Sequence, residues 1–499
     1  METQSVGGAA KGTRGNARKL ADIRVLAGKD WTGHAAEFKR AQGGLFLRMQ
    51  REVGDIGRMY FFNVPIVVLS SPELLHEAFV EKAKSFEKSI ATKLMFYPFA
   101  GKGVFTSEGE QWRRQRRLMA PFFHPGAVRA YAPTMNEVIT RCLDGWKDGQ
   151  VIDAGHEMTR ITMAVAGKVF FDMDPSGEAD ELSEAIRAMF DYLGEQSGSL
   201  SIVARALAAG LISEIPGLPA GADRIRSTVI EKLGTPIPWP IPSRRRVIEG
   251  VKALDRMVQR TIDERRRSGQ KHDVLSKLLS ARDEDDGSFM TDRQVRDEVI
   301  TLFVAGHETT ATGMTWSLYF LSRGPEAYRR WKDEVAALGG RTPTAEDSAR
   351  LEYTRGVFKE AIRLYPPAFA FDRVAAEDVE IGGYLLPRTT GIVISPYAVH
   401  RRESIWPDPE RFDPSRFSAA AEAARPRAAY VPFGIGPRVC IGASFAQLEA
   451  ELLLAQLAQR FEFEAVDGEP IGPNFATALR PAKPVRLRVR VKPAAPSAQ

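Results

Sequence analysis

Cysteine is scarce in this chain: Cys142 and Cys440 are the only two among 499 residues. So few thiols build no disulfide framework, and the cytoplasm is the expected compartment. They also cannot ligate an iron–sulfur cluster, which takes a full set of thiolates. No run of about 18 apolar residues occurs, so no membrane-spanning helix is expected. Met1 to Asp30 is polar and glycine-rich and lacks the apolar core of a secretory signal. There is no Asn-x-Ser/Thr sequon. Charge of one sign is missing as well. Against 69 basic residues stand 63 acidic ones, a net charge of +6, which argues against a nucleic-acid partner. Hydrophobic content of 44% and charged content of 26% are those of an ordinary globular protein.

By composition, residues 1–16 and the tail 492–499 are expected to be disordered, leaving 17–491 as a single domain. Met59–Phe62 and Ile66–Leu69 flank Asn63 as a β-hairpin. Ser71-Pro72 has the N-cap and first-turn pattern of a helix start. The clearest helix begins at Thr291, where Thr291-x-x-Gln294 forms a capping box, and stops at Gly324-Pro325. At 1.5 Å per residue it is roughly 50 Å long and must cross the whole molecule. β-rich stretches are expected over Val379–Val393 and Pro481–Val491. The fold class is therefore mainly α with a small β-rich lobe. Cys142 falls in a helical pattern, Thr134 to Trp146, and is expected to be a packed core residue.

The other cysteine stands in Phe433-Gly-Ile-Gly-Pro-Arg-Val-Cys440-Ile-Gly442, just before a helical pattern from Ala443 to Phe461. Glycines 434 and 436 let the backbone turn sharply and lie against something flat. A helix N-terminus favours the thiolate, which is the form that binds metal. Arg438 can meet a carboxylate. A flat cofactor with carboxylates and an iron that needs one axial ligand fits all of this, namely haem held by Cys440. A dinucleotide loop does not fit, because no third glycine follows at the required spacing.

The decapeptide resembles the haem-binding signature of the cytochrome P-450 family, Phe-Gly-x-Gly-x-Arg-x-Cys-x-Gly, at every fixed position. The resemblance implies that family's fold, with one long helix over haem b (iron protoporphyrin IX), and the family's monooxygenase activity. Further motifs run from Trp112 to Gly442. Ala305-Gly306-His307-Glu308-Thr309-Thr310 interrupts an apolar run with residues that weaken a helix interior. It resembles the family's oxygen-activation motif. By that resemblance Gly306 opens a groove for dioxygen, Thr309 hydrogen-bonds it, and Glu308 relays protons. Zinc-protease chemistry is excluded because position 311 is Ala311, not a second histidine.

Glu360 and Arg363 share one helix face. With Leu364-Tyr365-Pro366-Pro367 behind them and Trp406-Pro407-Asp408-Pro409-Glu410-Arg411-Phe412 downstream, they resemble the family's scaffold motif. The resemblance implies a buried triad of Glu360, Arg363 and Arg411 that locks the loop leading to Cys440. It also implies haem contacts by Trp112, Arg116, Arg373, Phe433 and Arg438, the charged ones to the propionates. Arg113, Arg114 and Arg117 would then face outward on the cysteine side, where an acidic electron donor could dock.

By position relative to these motifs, the substrate pocket draws on the loop Thr92–Phe105 with Phe96 and Phe99. It also draws on Val304 and Ala305, on Phe369, Ala370 and Phe371, and on Phe475 and Ala476. Such walls favour a hydrophobic small molecule, for example a fatty acid or a terpenoid. The segment 193–243, with an apolar patch and a proline-rich stretch, is longer than relatives commonly have and is expected to elaborate the lid. No redox module is fused. The expected electron donors are a ferredoxin and its NAD(P)H-dependent reductase, with O2 as co-substrate, and a monomer is expected. Three alternatives use the same signature loop: a peroxide-driven peroxygenase, an isomerase, and a non-enzymatic haem-binding protein. The first two tend to replace the acid–alcohol pair that Glu308-Thr309 keeps, and the third would not need it.

Overall fold

The structure, a computed structural model, describes residues 17–173, 179–213, 232–233, 242–269, 273–282, 287–475 and 478–492. The expected disorder at 1–16 and beyond Lys492, the proline-rich part of the lid from Thr235 to Ile241, and Ala476 lie outside the described residues.

Helices dominate. Those that shape the site are α1 (Ile90–Ala100), α2 (Gly109–Phe123), α3 (Ala154–Phe171), α4 (Ala179–Gln196), α5 (Leu200–Ser213), α6 (Asp292–Arg323), α7 (Glu352–Leu364) and α8 (Ala443–Arg460). The capping box at Thr291 forms as expected: Thr291 Oγ1 accepts the Gln294 N–H while the Gln294 side chain accepts the Thr291 N–H. From there α6 runs for 32 residues, about 48 Å. It is packed along Val299–Val304 and again along Thr310–Tyr319. Its hydroxyls bond one turn back, Thr312 to Glu308 O at 2.9 Å and Ser317 to Gly313 O at 2.8 Å. That pairing satisfies these hydroxyls inside the core.

Strands Ile56–Phe61 and Val64–Leu69 pair in antiparallel register, Phe61 opposite Val64, around Phe62-Asn63. Gly391–Ile394, Phe371–Ala375 and Phe86–Glu87 complete a five-stranded sheet. Ser71 caps the next helix by accepting the Leu74 N–H. Cys142 is a buried core residue.

Thr92–Phe105 is not simply a loop. Most of it is α1, in spite of Pro98. The Ser89 hydroxyl caps α1 by accepting the Thr92 N–H, and Ser89 and Thr92 both donate to Asp372 on the sheet. The apolar patch at Leu200 is helical too. Ile202 and Ala209 of α5 pack on Leu94 of α1, while Leu200 and Leu207 are exposed. Among the described residues, no helix is long and apolar enough to cross a membrane.

Candidate active site

The cysteine loop is held by its own backbone. Gly434 and Gly436 have φ of +75° and +72°, the left-handed region that suits glycine. A Cβ at Gly436 would run into the Phe79 carbonyl, so this loop position has no room for a side chain. The Cys440 N–H donates to Phe433 O at 2.8 Å, and α8 begins three residues on. Burial pushes the Cys440 thiol up, while the Gly442 N–H and Arg116 pull the other way. A thiolate held there calls for a cation at the sulfur, which a metal provides.

The long helix presents a matching opening. Ala305 is exposed and Gly306 and Thr309 are half-buried, although the turns on either side are packed. The Cys440 side chain is likewise enclosed by the chain yet accessible. Phe170 lies between the long helix and α8. Its ring lies 3.2 Å from where a Cβ on Gly306 would stand, and 4.7 Å, centroid to centroid, from Phe445 of α8.

Cations gather at the rim. Arg438 lies flat over the Trp112 ring at 3.8 Å and donates to Ser107 O at 3.0 Å. Arg373 packs over Phe79 and Phe371 and donates to Asp372 O at 2.6 Å. Burial lowers the pKa of Arg116 and of Arg373, and that of Arg438 falls to about 10. Two members of this group are not legible in the sequence. Lys88 is buried here, and burial together with Arg373 and Arg438 pushes it down to about 7. Glu108, at the N-cap of α2, ion-pairs with Arg438 and accepts the Lys88 N–H at 2.8 Å. Buried cations in excess over acids suit an anionic ligand. The residues present therefore fit haem: a thiol for iron, glycine loop and helix for the two faces, and cations for the propionates.

The scaffold pair is where the motif put it. Glu360 and Arg363 have no exposed side-chain surface and pair bidentately, Nε to Oε2 at 2.6 Å and Nη2 to Oε1 at 2.8 Å. The third member is not Arg411, whose side chain is exposed and which contributes only its carbonyl, 3.3 Å from Arg363 Nη2. Arg416 takes that place, with Nε 3.5 Å from Glu360 Oε1. The reason is the short helical turn Pro414–Phe417, which packs on α7 and turns Arg416 inward. His400 extends the network. Arg363 Nη1 donates to His400 O at 2.8 Å, His400 Nδ1 lies 3.2 Å from Arg363 O, and its Nε2 accepts the Val431 N–H at 2.8 Å. A buried chain of bonds thus runs from α7 to the strand of residues entering the cysteine loop.

The expected substrate walls form two groups. Phe96 meets Phe99 at 5.5 Å and Phe105 at 4.7 Å. Phe369, Ala370 and Phe475 gather with Tyr397 and Tyr365, and Phe369 and Phe475 are 5.4 Å apart. Phe371 does not join them. It points to the other side of its strand, against Phe79 at 6.2 Å and beneath Arg373. Val304 is nearly buried beside Ala305. Of the basic run on α2, Arg113 and Arg117 are exposed, Arg113 paired to Glu110. Arg114 instead donates inward to Ser288 Oγ at 2.7 Å.

The profile of the cytochrome P450 family matches residues 29–216 and 226–489. This chain belongs to the cytochrome P450 family. Similar proteins include cyclooctatin synthase of Streptomyces melanosporofaciens, 34% identical over 87% of this chain and 88% of the relative. Cyclooctat-9-en-7-ol 5-monooxygenase of the same organism is 34% identical over 79% and 78%. Pentalenene oxygenase of Streptomyces avermitilis is 32% identical over 88% and 90%. The P450 is thus a monooxygenase that carries haem, takes electrons from a redox partner and oxidises a hydrophobic small molecule.

Lys88 gives this P450 a pH signature. Its value is about 7 in the folded protein and near 10.5 when unperturbed. Between those limits the unfolded chain holds more protons, so haem-free stability rises with pH from about 7 to 10. Lys88→Met should flatten that slope and raise the thermal midpoint of the haem-free protein at pH 7, while the loaded variant releases haem faster. Thermal melts across that pH range check this, and an unchanged slope would show that Lys88 is not a buried charge.

Proposed function

We propose that this P450 hydroxylates or epoxidises a terpenoid, with electrons from a ferredoxin and its NAD(P)H-dependent reductase. The observation that carries the proposal is an accessible Cys440 on its glycine loop in a chain whose long helix is likewise open at Ala305–Thr309, together with the aromatic groups around Phe96 and Phe369. The names of the three relatives, two for a cyclooctat compound and one for pentalenene, support the substrate class. The cofactor is haem b, the acting unit is the single domain 17–491, and the setting is a cytoplasmic monomer.

Haem held by a thiolate supplies the activation of dioxygen. Cys440 would hold its iron, with Phe433 at the loop entrance, and Trp112, Arg116, Arg373, Arg438 and Lys88 would hold its propionates. Glu360, Arg363 and Arg416 keep the loop in place. Reducing dioxygen so that one atom leaves as water consumes two protons, which apolar walls cannot provide. Glu308 brings them in. The Thr309 hydroxyl donates to Ala305 O at 2.9 Å, so its lone pairs are turned outward to accept from a water and orient it. Gly306, lacking a side chain, lets the Phe170 ring pack against this turn. The intact Glu308-Thr309 pair favours this over the peroxygenase, isomerase and non-enzymatic alternatives.

The test is a spectral screen of the ferric protein against fatty acids, sesquiterpenes, diterpene alcohols and steroids. A Soret shift at micromolar concentration is expected for the terpenoids. A shift with fatty acids alone would overturn the substrate class.

A further inference from the structure

We propose that Arg480 is a positioning residue for Glu308, tying the proton-carrying acid to the walls of the substrate pocket. This rests on the proposed role of Glu308. Arg480 Nε lies 2.6 Å from Glu308 Oε1; Glu308 is buried and Arg480 half-buried. In such surroundings an ion pair is far stronger than at the surface and fixes the place of the carboxylate. Arg480 is not on the long helix. It stands on strand Leu479–Pro481, opposite Asn474 of the partner strand Pro473–Phe475. That hairpin is itself anchored: Leu479 O accepts from Trp316 Nε1 of α6 at 2.7 Å, and the Leu479 N–H donates to Pro367 O at 3.1 Å.

The same guanidinium lies over the Phe190 ring of α4, 5.3 Å from its centre. Phe475, on the partner strand, packs edge-on against Phe369 in the aromatic group described above. One side chain thus touches the acid of α6 and helix α4, and shares its hairpin with Phe475. Its Nη2 is buried and has no partner among the described residues, an N–H that could hold a water beside Glu308. If Arg480 were only structural, its loss would lower stability but leave the peroxide share unchanged. If it positions the acid, the two losses are one loss.

The experiment compares Arg480→Gln, Arg480→Lys, Glu308→Gln and the double variant as haem-loaded enzymes. They are driven by a [2Fe–2S] ferredoxin and its NADPH-dependent reductase, with the diterpene alcohol sclareol as probe and with no added substrate. The readout is peroxide released per NADPH oxidised, alongside haem content and thermal midpoint. Expected are a several-fold rise in the peroxide share for R480Q and for E308Q, a double variant no worse than E308Q, and R480K within twofold of the unmodified enzyme. The drops in thermal midpoint should also be non-additive. Should R480Q fail to hold haem, Arg480→Met, which keeps the stem against Phe190, takes its place. An unmodified peroxide share in R480Q while E308Q is raised would overturn the proposal and leave the role of Glu308 standing, as would losses that simply add. An unmodified share in E308Q itself would overturn both.

Discussion

Glu360→Ala or Arg363→Ala should leave the protein with little bound haem. Each partner of the pair is fully enclosed, and each also serves the neighbouring loop. Glu360 Oε1 accepts the Asp413 N–H at 2.9 Å, and Arg363 reaches His400 O and Arg411 O. Burial raises the Glu360 pKa, and Arg363 is what opposes it. Removing one partner leaves a buried charge unpaired, at a cost of about 3–5 kcal/mol. A domain has only about 5–15 kcal/mol in total, so the loss is a large part of it. The loop entering at Val431 hangs on the same network through His400, so loss of haem should accompany loss of stability. The two other arginines separate the competing triads. Arg411→Ala should behave almost as the unmodified protein, because its side chain is exposed and its bonds here are made by its backbone, whereas Arg416→Ala should lose stability. Haem content and thermal midpoint measured across the four variants check this. Normal values for E360A and R363A would refute the buried network.

Thr309→Ala should spare haem and substrate binding but uncouple turnover. The hydroxyl bonds only within its own helix, to Ala305 O, so the helix survives its removal. What goes is the hydroxyl proposed to orient water for proton delivery. Losing a positioned proton-transfer group costs on the order of 10²–10⁴-fold in the step it serves. Peroxide release then competes, so NAD(P)H is consumed while product falls and peroxide rises. Product and peroxide per NAD(P)H oxidised are the quantities to measure. Equal coupling in variant and unmodified enzyme would remove Thr309 from proton delivery.

What could be read from the sequence was local. The capping box at Thr291, the Ser71 cap and the glycines of the cysteine loop each act within a few residues, and the structure places each as its pattern requires. Glu360 and Arg363 share a helix turn, so their pairing follows from helical spacing. The third cation could not be read the same way. Arg411 and Arg416 are close in sequence, and only the turn Pro414–Phe417 packing on α7 decides which faces inward. Lys88 and Glu108 went unread because nothing local signals that a lysine is buried or that an N-cap acid turns to an arginine hundreds of residues away. Phe371 parts from Phe369 and Phe475 because the paired strand begins at it, opposite Ile394, and there its ring meets Phe79. Helix α1 was missed because Pro98 and Gly101 look like loop residues. The cap that starts the helix and the Asp372 contacts that hold it outweigh them.

Everything above turns on Cys440 as the iron ligand. The most direct measurement is the absorption spectrum of the freshly purified, reduced protein under carbon monoxide, beside that of Cys440→His. A thiolate opposite carbon monoxide should give a band at about 450 nm, and the substitution should abolish it. A band in the unmodified protein only at the shorter wavelength typical of imidazole ligation would contradict the assignment.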